Sequence, residues 1–353
     1  MPKIDAFFKL MKEQGASDLH MVVGDSPKLR LHGELAPIKF QKLDVQTATV
    51  LIYEIMTQEQ RKNFEEIHDL DFSYELPGIA RFRCNTFMQR NGIGAVFRII
   101  PTKIKTITEL NLPPIVSTFA ELNKGLVLVT GPTGSGKSTT LAAIINHINE
   151  TKSHHILTIE DPIEFVHENK KSLVRQREVE NHTESFSSAL KAALREDPDV
   201  ILVGEMRDLE TISLAITAAE TGHLVFGTLH TNSAPKTIDR IIDAFPTNQQ
   251  AQIKTMLSES LKGVVAQQLL KTVDGKGRCA AIEVLLGNIA LANMIREGKT
   301  FQIPSFMQTN KNQGMILMDD TIMNLLNQKK ITPEEAYEKA IDKKFFEDKI
   351  SRV

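Results

Sequence analysis

The spacing of apolar residues changes near residue 124, and the two patterns predict two different structures. Before that point, helices are predicted over 4–14, 45–56 and 58–67, and strands over 18–23, 28–32, 71–75, 80–89 and 93–100. Asn91-Gly92 predicts a type I′ turn that joins the last two of these strands in a hairpin. We therefore expect a small α/β domain over 1–100, followed by a linker over 101–110 that starts at Pro101.

After residue 124, short apolar runs alternate with helical patterns, which is typical of a parallel sheet. Buried strands are predicted over 126–130, 156–159, 200–203 and 224–229, and helices over 137–149, 184–195 and 209–220. Beyond residue 230 the chain is predicted to be mostly helical, with one long helix over 248–270. We expect residues 111–353 to form a larger α/β domain with a parallel-rich sheet and a helical C-terminal part.

Polar groups follow each of the four predicted strands. They are the runs 131–138 and 160–164, Gly204-Glu205, and His230-Thr231-Asn232. In open α/β sheets the ligand site lies beyond the carboxyl ends of the strands. One such cluster alone is more often a solvated loop, but four at one sheet edge predict a functional site.

Composition narrows the class of protein. The 353 residues include 42 Lys and Arg against 44 Asp and Glu, so no overall field attracts nucleic acid or anionic lipid. No apolar run approaches membrane-spanning length, and the first residues lack a signal-peptide core. Cys84 and Cys279 are too few for a four-cysteine zinc site and indicate a reducing compartment. We expect a cytoplasmic protein without zinc.

The first polar cluster carries the most specific signal. It reads Gly131-Pro132-Thr133-Gly134-Ser135-Gly136-Lys137-Ser138, which matches the phosphate-binding pattern G-x-x-x-x-G-K-[ST]. In such a loop, here called the phosphate loop (131–138), the glycines let backbone N–H groups turn inward onto an anion. Lys137 brings positive charge to the outer phosphates, and the Ser138 hydroxyl is a direct Mg²⁺ ligand. With a strand before it and a helix after it, the loop predicts binding of ATP or GTP with Mg²⁺.

The other clusters predict hydrolysis. Transfer of a phosphoryl group to water needs a group that orients the water, and Glu164 is the leading general base. Glu205 ends a strand at the Walker B position, but Gly204 replaces the usual aspartate, so Glu205 is expected to act on Mg²⁺ through water. His230 ends a strand beside the phosphates, although a lone histidine there is more often structural.

These motifs resemble the secretion ATPase superfamily, and within it the type IV pilus retraction ATPase family. The resemblance spans nearly the whole chain and is carried by the runs 15–20, 81–85, 131–139, 159–165, 200–208 and 222–232. It implies a RecA-like P-loop ATPase domain preceded by a smaller PAS-like domain. It also implies a homo-hexameric ring that hydrolyses ATP to power pilus retraction, the motion behind twitching. The ring is expected at the inner membrane, peripherally bound to the platform protein of the pilus machinery.

Roles for single residues also follow from the resemblance. Glu164 corresponds to the catalytic glutamate of the acidic box, Glu205 to the Walker B glutamate and His230 to the histidine box. Thr139 extends the nucleotide-binding run, and Arg81 and Arg83 match arginines that reach the nucleotide of a neighbouring subunit. From the sequence alone these two arginines would be exposed charges on one face of a strand. Arg98, Arg195 and Arg207 are weaker candidates.

One departure from the family keeps alternatives open. The family's C-terminal Ala-Ile-Arg-Asn-Leu-Ile pattern is replaced by Ala290-Leu291-Ala292-Asn293-Met294-Ile295, with Ala292 in the arginine position. The chain could therefore be an accessory retraction paralogue. An assembly or secretion ATPase would usually carry the zinc module that two cysteines cannot form. A nucleic-acid translocase would want a basic, aromatic channel, and a regulator without hydrolysis would not need the acids.

Overall fold

The computed structural model describes residues 2–31, 33–100, 103–275 and 277–350, with side chains described as far as Glu347. The chain divides into two compact units, Met1–Lys103 and Ile104–Val353. Pro101 and Thr102, where the predicted linker starts, lie outside the described residues, as do the last three residues of the predicted second domain. Ile107, from the later part of that linker, is buried in the core of the second unit.

The N-terminal unit is an antiparallel sheet with helices. Its strands are β1 (Asp18–Val22), β2 (Lys28–Leu31), β3 (Glu34–Pro37), β4 (Asp69–Leu76), β5 (Ala80–Gln89) and β6 (Gly92–Ile100), and its helices are α1 (Asp5–Glu13), α2 (Val45–Tyr53) and α3 (Gln58–Ile67). The strand order is β3-β2-β1-β6-β5-β4. Phe8 of α1 stacks on Phe82 of β5 with ring centroids 4.2 Å apart, and both are fully buried. Aromatic burial thus holds α1 against the sheet.

The hairpin between β5 and β6 forms as predicted, but its turn differs. Gln89 pairs with Gly92, so the linking residues are Arg90 and Asn91. Gly92 has φ 126°, whereas Asn91 does not have a positive φ, so the predicted type I′ turn is wrong. A Cβ at Gly92 would also approach Cγ2 of Val23 to 3.3 Å. Gly92 therefore has its positive φ at the first residue after the turn. The turn itself lies one residue earlier than predicted.

The second unit is built on a mostly parallel sheet. Its strands are β7 (Gly125–Thr130), β8 (His155–Glu160), β9 (Leu173–Glu178), β10 (Val200–Val203), β11 (Leu224–Leu229), β12 (Leu261–Lys271) and β13 (Arg278–Leu286). The order is β13-β12-β7-β11-β10-β8-β9, and only the β12–β13 pair is antiparallel. The expected α/β fold with a parallel-rich sheet is confirmed.

Helices cover both faces of this sheet. They are α4 (Ile115–Thr118), α5 (Lys137–Thr151), α6 (Phe186–Ala193), α7 (Leu209–Glu220), α8 (Ala234–Asp243), α9 (Thr247–Ser260), α10 (Ile289–Glu297), α11 (Ile303–Thr309), α12 (Met318–Asn327), α13 (Pro333–Lys339) and α14 (Lys344–Ile350), with short 3₁₀ turns at Phe119–Glu121, Thr300–Gln302 and Lys311–Gln313. Every residue of β7 is buried. Leu126 and Leu128 pack into the core on one face, and Val127 and Val129 into the core on the other. A strand buried on both faces reads as a continuous apolar run, which is why β7 was predictable.

The predicted long helix over 248–270 is wrong. Helix α9 ends at Ser260, and β12 starts at Leu261 and pairs with both β7 and β13. Gly263 passes so close to Phe119 that a Cβ would collide with its ring. A short apolar run fits a helix or a buried strand equally well by its spacing, so only the pairing decided between them. Strands β3, β9 and β13 were not predicted either.

Candidate nucleotide and catalytic site

The phosphate loop links the end of β7 to the start of α5. Gly131, Gly134 and Gly136 have φ of 148°, 76° and 89°, conformations that side chains rarely adopt. A Cβ at Gly131 would collide with the backbone oxygen of Gln267, and one at Gly136 would lie 2.7 Å from its Nε2. The loop is therefore a close-fitting cradle, and its shape requires glycine at two of these positions for lack of space as well as for φ.

Lys137 begins α5 and turns back over the loop. Its Nζ donates hydrogen bonds to the carbonyl oxygens of Gly131 and Pro132, at 2.9 and 3.2 Å. Burial lowers the pKa of Lys137, and the negative charges of Glu205 and Glu164 act in the opposite direction. The structure thus brings Lys137 within electrostatic reach of both the predicted Walker B glutamate, Glu205, and the predicted general base, Glu164.

Gln267 braces the phosphate loop, and it was missed by sequence reasoning. It lies on β12 and is almost fully buried. Its Nε2 donates to the Ser135 carbonyl oxygen at 2.7 Å, and its Oε1 accepts from Thr140 Oγ1 at 2.7 Å. The amide ties the loop to the first turn of α5. No local signal indicates this role, because it depends on β12 pairing with β7.

Glu205 and His230 meet where β10 and β11 end. The Nε2 atom of His230 lies 2.7 Å from Oε1 of Glu205, and Nε of Arg207 lies 2.5 Å from the same oxygen. Burial acts to raise the pKa of Glu205, but the hydrogen bonds and charges of Arg207 and His230 outweigh it, and the pKa is lowered. Glu205 is therefore held as a carboxylate. Arg207, a weaker candidate from the sequence, is one of the two groups that hold it.

The glycine in place of the Walker B aspartate has a packing reason. The N–H of Gly204 donates to the Ile159 carbonyl oxygen at 2.7 Å, and its own carbonyl accepts from the Thr228 hydroxyl. A Cβ at this position would lie 3.0 Å from the Ile159 oxygen and 3.2 Å from Cα of Glu160. Both of these close contacts would be with backbone atoms, which can move less easily than the end of a flexible side chain. An aspartate at residue 204 would therefore require neighbouring strands to shift.

The acidic loop, residues 161–172, connects β8 to β9 and carries Glu164. Glu160, the last residue of β8, accepts hydrogen bonds from Thr158 Oγ1 at 2.6 Å and from the backbone N–H of Glu164 at 3.4 Å. Burial raises the pKa of Glu160 to about 7, although its hydrogen bonds lower it. Glu164 itself has an exposed side chain. The two carboxyl groups thus differ: Glu160 is partly buried and hydrogen-bonded, and Glu164 is accessible to water.

Arg81 and Arg83 lie on β5 in the N-terminal unit, whereas the phosphate loop and the acids belong to the second unit. They alternate with Phe82 and Cys84, which are fully buried, so the two arginines share the opposite face of the strand as predicted. Arg83 forms an ion pair with Asp71 of β4, with 2.9 Å between Nη2 and Oδ2. This contact orients the guanidinium within its own unit.

The described residues contain no group of three or more His, Cys, Asp or Glu side chains that could hold a metal ion. Across residues 2–31, 33–100, 103–275 and 277–350, no helix combines the length and apolar character needed to cross a membrane.

Comparisons with known proteins show the family of this chain. The family model described as Type II/IV secretion system protein matches residues 1–347. The chain is 56% identical over 328 residues to the type IV pilus retraction ATPase PilT of Pseudomonas aeruginosa, which covers 93% of this chain and 95% of that protein. It is 54% identical over 315 residues to a twitching motility protein of Neisseria gonorrhoeae, which covers 89% of this chain and 84% of that protein.

The fold of the chain also matches that of a solved structure. The crystal structure of the pilus retraction motor PilT with bound ADP superposes with a TM-score of 0.91 at 47% identity, and all of both chains is covered. The resemblance read from the sequence motifs is thereby confirmed. Since the family model matches residues 1–347, the chain belongs to the Type II/IV secretion system protein family.

Proposed function

We propose that the protein is an ATPase that converts ATP and water to ADP and phosphate and uses the energy to retract a type IV pilus. One observation carries the proposal. Lys137, Glu205 and Glu164 converge at one edge of the parallel sheet, in a chain that is similar over nearly its full length to a pilus retraction ATPase. A phosphate cradle beside ionised and accessible carboxylates suits hydrolysis better than binding alone.

Within this proposal, each group has a task at the phosphates. The phosphate loop and Lys137 hold the β- and γ-phosphates through N–H groups and charge. Ser138 and Glu205 would hold Mg²⁺, the hydroxyl directly and the carboxylate through a water, and Mg²⁺ supplies charge neutralisation on the phosphates. The low pKa of Glu205 suits this task, since a carboxylate binds a metal-bound water better than a carboxylic acid does.

Glu164 is the proposed general base. Its side chain is exposed, so it can contact the attacking water, and its charge reaches Lys137. His230 is proposed to orient Glu205, because its Nε2 contacts the carboxylate rather than open solvent. With these assignments, Glu205 acts on the metal ion and Glu164 acts on the attacking water.

A homo-hexameric ring would complete the site. We infer that Arg81 or Arg83 of a neighbouring subunit reaches the nucleotide and stabilises the transferring phosphoryl group.

Rings assembled from subunits of two variants test whether Arg83 acts on the neighbouring site. Rings of Arg83→Ala alone and of Glu164→Gln alone should each be nearly inactive in ATP hydrolysis. Mixed rings should regain turnover, because some interfaces then pair an intact Glu164 with an intact Arg83. Mixed rings no more active than the variants would reject a role in trans for Arg83, and Arg81→Ala tests the other arginine.

The retraction role is tested in the cell by deleting the gene and counting surface pili. Retraction through a platform protein at the inner membrane predicts excess pili and lost twitching. Loss of pili would instead indicate an assembly ATPase.

A second candidate is an accessory retraction ATPase, and Ala292 favours it. This residue lies on α10, where the family pattern has an arginine. Unchanged pili and twitching after deletion would support the accessory role.

A further inference from the structure

We propose that Gln176 is a positioning residue that sets the place of Glu164, an inference that rests on the proposed function. Gln176 lies on β9, the edge strand that sequence patterns did not predict. Its side chain makes hydrogen bonds to the chain on both sides of Glu164. They join the end of β8 and the acidic loop to β9.

The contacts of Gln176 span the segment that carries the proposed base. Its Nε2 donates to Oε1 of Glu160 at 3.1 Å and to the Phe165 carbonyl oxygen at 2.8 Å. Its Oε1 accepts the N–H of His167 at 2.8 Å. One amide therefore fixes a residue four positions before Glu164, the residue directly after it and a third two positions further along.

The chemistry of these partners allows only one orientation of the amide. The His167 N–H can only donate, so it must face Oε1, and the Phe165 carbonyl can only accept, so it must face Nε2. Glutamate at residue 176 would keep the acceptor and lose both donors. Methionine has nearly the same length and would lose all three bonds. The contact set is thus specific for glutamine.

A second side chain of β9 supports the same loop. Glu178, which is almost fully buried, accepts the backbone N–H of Ile163 at 2.9 Å. Glu160 completes the arrangement, since it receives a bond from Gln176 and accepts the Glu164 N–H. The residues immediately before and after Glu164 are therefore both tied to β9. Side chains of β9 therefore support the backbone on both sides of the exposed carboxyl of Glu164.

This arrangement predicts a loss of turnover rather than of binding. The bonds of Gln176 go to residues 160, 165 and 167, whereas the brace on the phosphate loop comes from Gln267 on β12. A base displaced by about 1 Å can lower the rate by roughly a hundredfold while the substrate still binds. Gln176→Met should therefore lower kcat and leave KM nearly unchanged.

The experiment uses the full-length protein and measures steady-state ATP hydrolysis, binding of a fluorescent ADP analogue and amide hydrogen exchange. For Gln176→Met we expect kcat to fall roughly ten- to a hundredfold, with KM and analogue affinity within about twofold of the parent. Exchange should become faster in peptides of the acidic loop and stay unchanged in the phosphate loop. Gln252→Met makes the same change on an exposed face of α9 and serves as the matched control.

Gln176→Glu is the second variant: it retains the acceptor for the His167 N–H, but its other oxygen would face the Phe165 carbonyl and Glu160, which also accept, so kcat should fall at least as far as in Gln176→Met. Unchanged kcat and exchange in Gln176→Met would overturn the proposal. Equal losses of kcat, affinity and thermal stability would also overturn it, since they indicate a general structural role. A parent without ATPase activity would instead refute the proposed function, and the exchange measurement would still decide whether Gln176 holds the loop.

Discussion

The phosphate loop and the acidic loop follow two strands of the same sheet, β7 and β8, yet they are held in different ways. The phosphate loop owes its course to its own three glycines, all of which have positive φ, and to the close approach of β12. The acidic loop depends on side chains of another strand, because Gln176 and Glu178 of β9 bind its backbone beside Glu164. The conformation of the phosphate loop is thus determined largely by its own sequence, whereas that of the acidic loop depends on tertiary contacts with β9.

The difference has a consequence for the chemistry. A loop that must surround phosphates needs a fixed concave backbone, which glycine conformations supply. A base that must contact water needs an exposed carboxyl on a supported backbone, which buried polar partners supply. Damage to the first is therefore expected to affect nucleotide affinity, and damage to the second to affect turnover.

The largest expected effect comes from Glu164→Gln, which removes the proposed base but keeps its shape. ATP turnover should fall by roughly a hundredfold or more, in the range that general bases contribute, while the affinity for a fluorescent ADP analogue stays the same. Steady-state hydrolysis and equilibrium titration measure the two. Turnover close to that of the parent would remove Glu164 from this role.

Gly131→Ala should damage the other loop. Its added Cβ would collide with the Gln267 backbone at φ 148°, and we expect roughly tenfold or greater loss of nucleotide affinity. Gly134→Ala is the matched control, since Gly134 also has positive φ, 76°, but a Cβ there meets nothing within 4 Å. Equal losses in the two variants would show that φ alone, and not the close approach, matters.

Gln267→Leu should give a smaller loss of the same kind. It leaves the Ser135 carbonyl and the Thr140 hydroxyl without their partner, at a cost of about 1–3 kcal/mol for an unpaired buried group. We expect KM to rise roughly tenfold with a lesser change in kcat, the reverse of Gln176→Met. Gln268→Leu changes the adjacent glutamine on the other face of β12 and is the control. A loss of kcat without a change in KM would contradict the expectation that the phosphate loop affects nucleotide affinity and the acidic loop affects turnover.

The last prediction concerns stability instead of activity, and it is a pH dependence from Glu160. Its pKa of about 7 in the folded protein lies above its ordinary value of 4.5, so the folded state keeps a proton that the unfolded state has lost. Stability should therefore fall as pH rises from about 4.5 to 7, by up to ~1.4 kcal/mol per pH unit from this group. In Glu160→Gln this part of the slope should vanish, as measured by urea unfolding at several pH values. An unchanged slope would show that Glu160 titrates normally.

Much of the central sheet was predictable from the sequence. Strands β10 and β11 have the predicted bounds, and β7 and β8 differ by a residue or two, because strands buried on both faces are continuous apolar runs. Strand β9 was missed because Arg175, Arg177 and Glu178 give an edge strand the composition of a loop. Strand β12 was mistaken for a helix because its identity depends on pairing with β7 and β13.

By itself, the sequence determined the phosphate loop, its lysine and the acids at the strand ends, because these depend on residue types at fixed local spacing. It also carried the motifs by which the family was identified. The tertiary structure alone decided that Arg207 and His230 share Glu205, that Gln267 braces the phosphate loop and that Gln176 supports Glu164. Apart from Arg207, which is two residues from Glu205, these side chains lie far along the chain from the groups that they contact. Hydrogen bonds between them arise from strand order and register, which no local pattern specifies.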